Sequence, residues 1–546
     1  MCHRPISRRK FMSISAMGAA ALAIDWRKMD ALAAKMGPKK DYPTVVIGAG
    51  LGGLCCAAHL AKQGIPVTVL EKHNIPGGYA TAFDRDGGKF RFEVSLEGTA
   101  IKEGETGEML RRLGIMGKLR WAPLPDVFRA KAGGKTIVFP QRNPEAFISE
   151  LSKHFPQEAV GIKGFIHEIL GIQEETHAYG EESGFLKTVL KPVFPLRYPK
   201  MWGVRNQTLA ELVDGYVKDT ALKNILTAMW PYYGLPPSKL SGFYYAIATA
   251  GYLKYGSYYI KNRSQALSDL LADTIEDAGG EVRCETEAKE ILIEKGAVKG
   301  VKTASGDILP ARAVVSNASA LNTFRHMLPS EAVPEDYRKK LASYRPSISC
   351  FIVWLGLNRE LRGKVPWYTT GVHSGQSPDA DYLSYVRGEV DKCSFGVTLY
   401  DTLYPGYSSP GTSNMKILCL SGYEPWRPFE ADYRAGRKAD YHKQKDRWTD
   451  TLIRRTEEHL LPGLSDMIEV KVAGTPLTCW RYTGNTDGAI YGFEESMDNA
   501  FMNRIRNRTP IKGLYLASAW GDPGGGFGGV LRAGERTFQQ LMEDWS

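Results

Sequence analysis

Near the N-terminus, glycines follow a short β-branched run at a spacing that can bind a diphosphate. Thr44–Ile47 predicts a buried strand, and Gly48, Gly50 and Gly53 follow it in the pattern Gly-x-Gly-x-x-Gly. Gly48 permits the tight turn out of the strand, Gly50 lets the backbone approach the phosphates, and Gly53 lets the next helix pack on the sheet. The phosphates would lie at the helix N-terminus, where unpaired N–H groups and the helix dipole favour negative charge.

The segment after this motif supplies a carboxylate. Leu54 to Gln63 predicts a helix, Ile65 to Leu70 predicts a second strand, and Glu71 follows that strand directly. A carboxylate at this place accepts hydrogen bonds from ribose hydroxyls. Strand, glycine turn, helix, strand and acid together predict a Rossmann-type dinucleotide-binding domain. The alternative, a glycine-rich turn in an unrelated α/β unit, does not require this ordered context.

A second glycine-rich segment lies near the C-terminus. Residues 509–517 predict a turn and a buried strand, Gly521–Gly529 follows, and Val530 to Trp545 predicts a terminal helix. The N-terminus of that helix is a second place where a cofactor's phosphate or ring could bind. We disfavour a flexible linker, because apolar elements flank the glycines on both sides.

Four segments of the chain resemble the phytoene desaturase, carotenoid isomerase and retinol saturase family of FAD-dependent oxidoreductases. They are Gly48–Glu71–Gly78, residues 278–318, residues 475–492 and Pro523–Gly526. The resemblance implies an α/β fold with a Rossmann-type, glutathione reductase-like FAD-binding domain and an inserted α+β substrate domain. It implies FAD as the cofactor, bound by Gly48, Gly50, Gly53, Glu71, Lys72, Gly77, Gly78, Thr81, Gly521, Asp522, Gly526 and Gly528.

The chain departs from the family pattern at two places. Relatives have Gly-Gly ahead of the helix that opens the back half of the FAD domain, where this chain has Lys261–Gln265. Many relatives have Gly-Asp after the last strand, where this chain has Ser518 and Ala519, with Asp522 as a substitute acid. These departures concern the exact activity rather than the flavin.

A chain of 546 residues is too long for one compact core. We predict a leader and linker at residues 1–40, and an FAD-binding domain assembled from residues 41–110, 263–325 and 476–546. The substrate domain is expected to comprise residues 111–262 and 326–475.

Aromatic residues are concentrated in the predicted substrate domain, at residues 230–234, 243–245 and 252–259. They could line a tunnel for a long apolar substrate, or they could be ordinary core. The resemblance implies that Trp480, Tyr482 and Tyr491 face the flavin, which makes them the catalytic candidates. No Ser/His/Asp triad is evident and the histidines lack metal-binding spacing, so no metal is predicted.

The resemblance implies a desaturase, saturase or isomerase that acts on C–C or C=C bonds of an apolar isoprenoid or polyene by hydride exchange with the flavin. Two alternatives remain open from the sequence. One is an exported flavin amine oxidase on the same fold. The other is a non-catalytic electron-transfer subunit, whose aromatic groove would bind a partner.

The first residues resemble a twin-arginine export signal. Arg8 and Arg9 precede a mildly apolar run from Ile14 to Ile24, and Ala31–Ala33 gives a small-x-small cleavage pattern. The alternative is a basic tail. Export would place the protein in the periplasm or on the outer face of the cytoplasmic membrane. Soluble NAD(P)H is not accessible there, so a quinone or a redox protein is the expected electron partner.

Charge and patterning favour one further partner and exclude another. Between Phe185 and Trp202, basic residues alternate with aromatic residues and prolines, which would suit a peripheral membrane contact. A proline-rich surface loop is the alternative. The net charge of +10 is moderate, and without a block of like charges we predict no nucleic-acid partner.

Overall fold

The structure is a computed structural model that describes residues 26–132, 135–181, 191–500 and 503–546. The segment with Arg8, Arg9 and the apolar run to Ile24 lies outside these residues, as do residues 182–190 of the expected membrane contact.

A five-stranded parallel sheet lies at the centre of the cofactor half. Its spatial order is β19-β13-β1-β2-β9, and every neighbouring pair is parallel. These strands are β1 (Thr44–Ile47), β2 (Val67–Leu70), β9 (Glu281–Arg283), β13 (Ala313–Ser316) and β19 (Leu514–Leu516). The sheet therefore combines strands from the front, the middle and the end of the chain.

A seven-stranded sheet lies at the centre of the other half. Its order is β18-β14-β17-β16-β15-β6-β7, with β15 and β6 parallel and the other pairs antiparallel. Its strands are β6 (Phe128–Ala132), β7 (Lys135–Phe139), β14 (Ser349–Leu357), β15 (Thr369–Val372), β16 (Phe395–Leu399), β17 (Ser413–Ser421) and β18 (Ile468–Gly474).

Smaller ladders complete the strands. They are β3 (Ala82–Arg85) with β4 (Phe90–Glu93), β5 (Trp121–Pro123) with β8 (Tyr258–Ile260), and β10 (Ala288–Glu294) with β11 (Ala297–Thr303) and β12 (Ile308–Pro310). The β5–β8 pair joins the places where the chain leaves the cofactor half and returns to it.

The described helices are numbered in chain order. They are α1 (Trp26–Lys35), α2 (Leu51–Lys62), α3 (Gly104–Arg112), α4 (Pro144–His154), α5 (Ala159–Glu181), α6 (Phe194–Arg197), α7 (Pro199–Val204), α8 (Leu209–Asp214), α9 (Thr220–Leu226), α10 (Gly242–Tyr255), α11 (Gln265–Asp277), α12 (Ala320–His326), α13 (Glu335–Ser343), α14 (Pro378–Arg387), α15 (Glu430–Arg434), α16 (Ala439–His459), α17 (Pro476–Thr483) and α18 (Gly526–Trp545). Within the described residues, no helix combines the length and apolar character that crossing a membrane requires.

Small residues let the two ends of the chain pack closely. Residues 54–58 of α2 are completely buried, and α2 packs against α11 and the terminal helix α18. A Cβ atom on Gly534 of α18 would lie 2.3 Å from the Gly52 carbonyl oxygen. A larger side chain would separate the helices, so the packing of α2 on α18 requires this glycine.

The predicted fold class, an α/β protein with a Rossmann-type domain, is confirmed. Some boundaries differ from those predicted. Helix α2 begins at Leu51 rather than Leu54, and α18 begins at Gly526 rather than Val530. Both differences have one cause, because each glycine segment is itself the first turn of its helix.

The departure at Lys261–Gln265 has a backbone explanation. Asn262 and Arg263 both adopt left-handed conformations, with φ of 69° and 74°. This is the region that glycine enters without strain and that other residues rarely adopt. The Arg263 side chain is buried, donates hydrogen bonds to the carbonyl oxygens of Arg91 and Tyr407, and stacks on the Tyr407 ring. These contacts offset the strain at a turn where the family pattern led us to expect glycine.

Candidate functional site

One large cavity extends from the carboxyl ends of the parallel strands to the seven-stranded sheet. Its volume is about 3330 Å³. A pocket for one drug-sized ligand measures roughly 300–1,000 Å³. The cavity therefore has room for a dinucleotide and a second large molecule.

Three glycines of the first motif have no room for a side chain, because neighbouring protein atoms lie too close. A Cβ on Gly50 would lie 2.4 Å from Asn317 Oδ1, and a Cβ on Gly52 would lie 2.2 Å from the Ala517 carbonyl oxygen. A Cβ on Gly53 would lie 2.4 Å from the Gly48 carbonyl oxygen. The sequence analysis explained Gly50 by the close approach of the phosphates to the backbone. The neighbouring Asn317 side chain is a second reason why this position requires glycine.

Glu71 lies at the end of β2 and fixes the turn beside it. Its Oε2 accepts a hydrogen bond from the Ala49 N–H at 2.8 Å, and its Oε1 accepts one from the His73 N–H at 2.8 Å. Lys72 Nζ donates to the Arg481 carbonyl oxygen at 3.1 Å, and burial lowers the pKa of Lys72. Each carboxylate oxygen of Glu71 still has a lone pair for a ribose hydroxyl.

The second glycine pair, Gly77 and Gly78, lies beside the first motif. Gly77 has φ of 128°, and a Cβ there would lie 2.4 Å from the Ala80 carbonyl oxygen. Thr81 is buried and donates to the Gly78 carbonyl oxygen at 3.1 Å. Gly50 and Gly77 form a backbone bridge, so the two glycine segments predicted to bind the cofactor lie side by side.

The C-terminal glycine segment borders the same cavity. A buried ion pair supports it: Arg504 pairs with Glu495 and donates to the Gly521 carbonyl oxygen at 2.7 Å. Burial of the Glu495 carboxyl raises its pKa, although Arg504 opposes the shift. Asp522 lies beside them and forms an ion pair with Arg536 at 2.6 Å.

We name the dinucleotide edge after the cavity-lining residues that the two ends of the chain contribute. They are Gly48, Gly50, Gly52, Glu71, Gly77, Gly78, Asp522, Gly525, Gly526, Gly528 and Gly529. Gly53 and Gly521, which were also predicted to bind the cofactor, act behind this surface: Gly53 packs on Gly48, and Gly521 accepts from Arg504.

Aromatic side chains line the other end of the cavity, which we name the aromatic chamber. They are Phe128, Tyr232, Tyr233, Phe243, Tyr244 and Tyr252. Other members of the same sequence clusters, Trp230, Tyr245 and Tyr259, are fully buried core. The aromatic clusters of the sequence are thus divided between the chamber and the core.

The three catalytic candidates lie in different surroundings, although all three line the cavity. Tyr491 lies between the two ends, because Cβ atoms on Gly525 and Gly234 would be 3.2 and 3.1 Å from its side chain. Trp480 lies under the Arg434 guanidinium at 4.0 Å. Tyr482 is 48% exposed and meets the His73 ring, beside Glu71. Tyr491 is therefore the candidate best placed to meet both ligands.

The sequence analysis missed a charged group in the chamber wall. Lys416 is completely buried, and its Nζ lies 3.2 Å from Glu97 Oε1. The Tyr232 hydroxyl donates to Glu97 Oε2 at 3.0 Å. Burial, reinforced by Glu97, raises the pKa of Tyr232 well above its ordinary value. No local sequence pattern connects these residues, which come from three separate segments.

Comparisons with known proteins agree with this architecture. Residues 46–113 match the family model of an NAD(P)-binding Rossmann-like domain. The chain is 28% identical over 518 residues to the all-trans-retinol 13,14-reductase of Macaca fascicularis, covering 89% of this chain and 83% of that one. It is 25% identical over 519 residues to the chloroplastic prolycopene isomerase of Daucus carota, covering 93% and 81%.

A solved structure shares the fold over most of its length. Cyclohexylamine oxidase from Brevibacterium oxydans superimposes with a TM-score of 0.57 at 15% identity, covering 92% of this chain and 99% of that one. At this identity the likeness concerns the fold alone.

Proposed function

We propose that the chain is a member of the phytoene desaturase, carotenoid isomerase and retinol saturase family, and that it is an FAD-dependent oxidoreductase acting on C–C or C=C bonds of an apolar isoprenoid or polyene. One observation carries the proposal: a single cavity joins the dinucleotide edge to the aromatic chamber. A cofactor bound at one end would meet a substrate bound at the other.

The residues of the dinucleotide edge fit FAD. Gly50 and Gly52 line the cavity without side chains, so a diphosphate can approach their backbone, and Glu71 has lone pairs for the ribose. The N-terminus of α18 at Gly526 borders the same cavity and offers unpaired N–H groups to phosphate or ring oxygens. When bound, a flavin supplies hydride exchange with carbon.

The aromatic chamber fits an apolar substrate better than an amine. Its six aromatic side chains offer a wide apolar surface, with phenols at a few points. The Glu97 carboxylate could attract an ammonium group, but Lys416 already neutralises it. We therefore place the amine oxidase alternative second. The two named relatives act, by their names, on retinol and on prolycopene, which makes these polyenes the first substrates to test.

The proposal predicts bound flavin and polyene turnover. We expect the purified protein to show a flavin absorption spectrum, and the dithionite-reduced protein to convert all-trans-retinol or prolycopene. Chromatography and mass analysis of the extracted polyenes measure the conversion. Absence of flavin after reconstitution with FAD, or turnover of cyclohexylamine with peroxide release and no polyene conversion, would contradict the proposal.

We also propose that the surface formed by α6 and α7 contacts a membrane, from which an apolar substrate could enter the cavity. Leu196 is 84% exposed and Val193 is 41% exposed, while Met201 and Trp202 line the cavity. Arg205 stacks on Trp202 at 3.6 Å, so a cation lies beside the apolar surface. Leu196→Asp should reduce co-sedimentation with phosphatidylglycerol vesicles. Val160→Asp is the control, because Val160 is an equally exposed valine on α5.

Export by the twin-arginine route and electron transfer with a quinone or redox protein complete the proposal. Their support is the sequence of residues 7–33. Replacing Arg8 and Arg9 by lysine should retain the protein in the cytoplasm, as measured by cell fractionation. Reoxidation of the reduced protein by a soluble quinone, but not reduction by NADPH, is the expected electron-transfer result.

A further inference from the structure

We propose that Tyr232 is the proton donor to the substrate carbon and that the net reaction is therefore saturation of a C=C bond. This inference rests on the proposed function and assigns its direction. It follows from the charged group in the chamber wall, which a hydride exchange alone does not require.

The group forms an ordered series from the interior to the cavity. Lys416 is completely buried and donates to the Ser95 carbonyl oxygen at 3.2 Å, the same distance as to Glu97. The Glu97 side chain is 17% exposed and lines the cavity. Tyr232 also lines the cavity and donates to the other Glu97 oxygen. The ammonium thus lies behind the carboxylate, and the phenol lies in front of it.

Tyr232 is close to the cofactor end of the cavity. Gly234 follows it by two residues, and the Tyr491 ring lies 3.1 Å from where a Gly234 Cβ would be. The same Tyr491 side chain contacts Gly525 of the dinucleotide edge. Tyr491 therefore separates Tyr232 from the proposed cofactor site, so a polyene lying beside Tyr491 would be within reach of both.

Saturation of a C=C bond adds a hydride to one carbon and a proton to its neighbour. The reduced flavin of the proposed function is the reductant. In the proton step, the Tyr232 O–H bond breaks, a C–H bond forms on the polyene, and the electron pair stays on the phenolate oxygen. Lys416 offsets the charge that phenolate and carboxylate then share. After the product leaves, the phenolate recovers a proton from water through Glu97.

The surroundings keep the phenol protonated between turnovers. Glu97 faces the Tyr232 hydroxyl, Tyr252 of α10 and Tyr491 lie nearby, and Phe128 of β6 packs edge-on at 5.8 Å. Burial, reinforced by Glu97, Tyr252 and Tyr491, holds the pKa of Tyr232 well above its ordinary value, so its proton is present throughout the neutral range. The neighbour of the carbon that gains the hydride keeps the electron pair of the former double bond, so it is far more basic than a phenolate and can still remove the proton.

Tyr232→Phe tests the proposal, with Tyr245→Phe as the matched control. Each variant loses one phenol hydrogen bond, but the Tyr245 hydroxyl donates to the Leu226 carbonyl oxygen in the core. With dithionite-reduced protein and all-trans-retinol, we expect a product heavier by two hydrogens. Tyr232→Phe should slow its formation about 100-fold, the usual contribution of a general acid, while Tyr245→Phe keeps the wild-type rate.

Retinol binding and a second variant keep the test decisive. We expect Tyr232→Phe to bind retinol as the wild type does, as measured by quenching of tryptophan fluorescence. If that variant fails to bind, Lys416→Met decides, because it keeps the phenol and removes the charge behind it. It should slow saturation about tenfold and increase the solvent deuterium isotope effect, since it weakens the acid. An unchanged rate in Lys416→Met would overturn the proposal.

Two other outcomes separate this inference from the proposed function. A wild-type protein that isomerises retinol without adding hydrogen, or a Tyr232→Phe variant that saturates it at the wild-type rate, overturns the inference alone. A wild-type protein that carries flavin but converts neither retinol nor prolycopene overturns the proposed function itself.

Discussion

The dinucleotide edge and the aromatic chamber are two ends of one cavity, but they are built in opposite ways. The edge consists mainly of glycines, and at Gly50 and Gly52 neighbouring protein atoms lie so close that no Cβ atom fits. The chamber consists of large side chains that project into the cavity, such as Tyr232 and Tyr244. One added carbon atom should therefore damage the edge, whereas the chamber should respond mainly through chemistry.

The largest expected effect concerns the ion pair that supports the edge. Arg504→Met leaves the Glu495 carboxylate buried without its partner and removes the hydrogen bond to the Gly521 carbonyl oxygen. Breaking a buried pair in this way costs about 3–5 kcal/mol. We expect a matching loss in the free energy of unfolding and a loss of bound flavin, measured by denaturant titration and absorbance. The double variant Arg504→Met, Glu495→Met removes the unpaired carboxylate and should be more stable than Arg504→Met alone. If it is no more stable, the ion pair does not support the C-terminal glycine segment.

The next prediction tests whether one added carbon atom is enough to damage the dinucleotide edge. Gly52→Ala places a Cβ against the Ala517 carbonyl, which belongs to backbone that cannot move aside easily. Overpacking of this kind costs about 3 kcal/mol. Gly117→Ala is the control, because nothing lies within 4 Å of its Cβ. We expect Gly52→Ala to lose flavin and thermal stability while Gly117→Ala loses neither. Equal behaviour of the two variants would contradict the difference between edge and chamber.

The sequence predicted the edge because the signals there are local. The strand Thr44–Ile47 has the predicted bounds, and the helix after it differs by a few residues at its start. A β-branched run, a glycine spacing and an acid lie within one short segment, so their geometry follows from chain connectivity. The C-terminal glycine segment could be predicted for the same reason.

The chamber could not be predicted in the same way. Glu97, Tyr232 and Lys416 come from three segments that are far apart in the sequence and meet only in the folded protein. Arg504 and Glu495 are close in sequence, but nothing in their neighbourhood shows that both are buried. Burial of a charge depends on tertiary packing, and one sequence does not reveal which charges are paired.

A third prediction concerns pH and again separates the two ends. His59 of α2 is fully buried behind the edge and stacks on Phe538; burial, with Arg112 and Lys62, lowers its pKa to about 3. Below about pH 6.5 the unfolded chain takes up a proton at this residue that the folded protein does not, so stability falls as the pH falls. The chamber phenols stay neutral in this range, because burial raises their pKa.

His59→Phe keeps a stacked ring and removes the titration. The free energy of unfolding of the variant, measured relative to wild type, should be about 2 kcal/mol higher at pH 5 than at pH 8. The reason is that a tenfold change in proton affinity corresponds to about 1.4 kcal/mol. Denaturant titrations of both proteins at the two pH values measure this difference. A parallel loss of stability in wild type and variant between pH 8 and pH 5 would show that another group is responsible.

The smallest effect is expected at one of the two tyrosines that were predicted to face the flavin. Tyr482 is about half exposed, and its ring meets the His73 ring and the Arg481 guanidinium, so Tyr482→Ala should change the free energy of unfolding by no more than about 0.5 kcal/mol, as at other surface sites. Tyr491 contacts Gly525 and Gly234, where edge and chamber meet. Tyr491→Ala should therefore weaken retinol binding, measured by fluorescence quenching, while Tyr482→Ala leaves it unchanged. Weaker retinol binding in Tyr482→Ala alone would show that cofactor and substrate meet beside Glu71 instead, on the outer side of the edge.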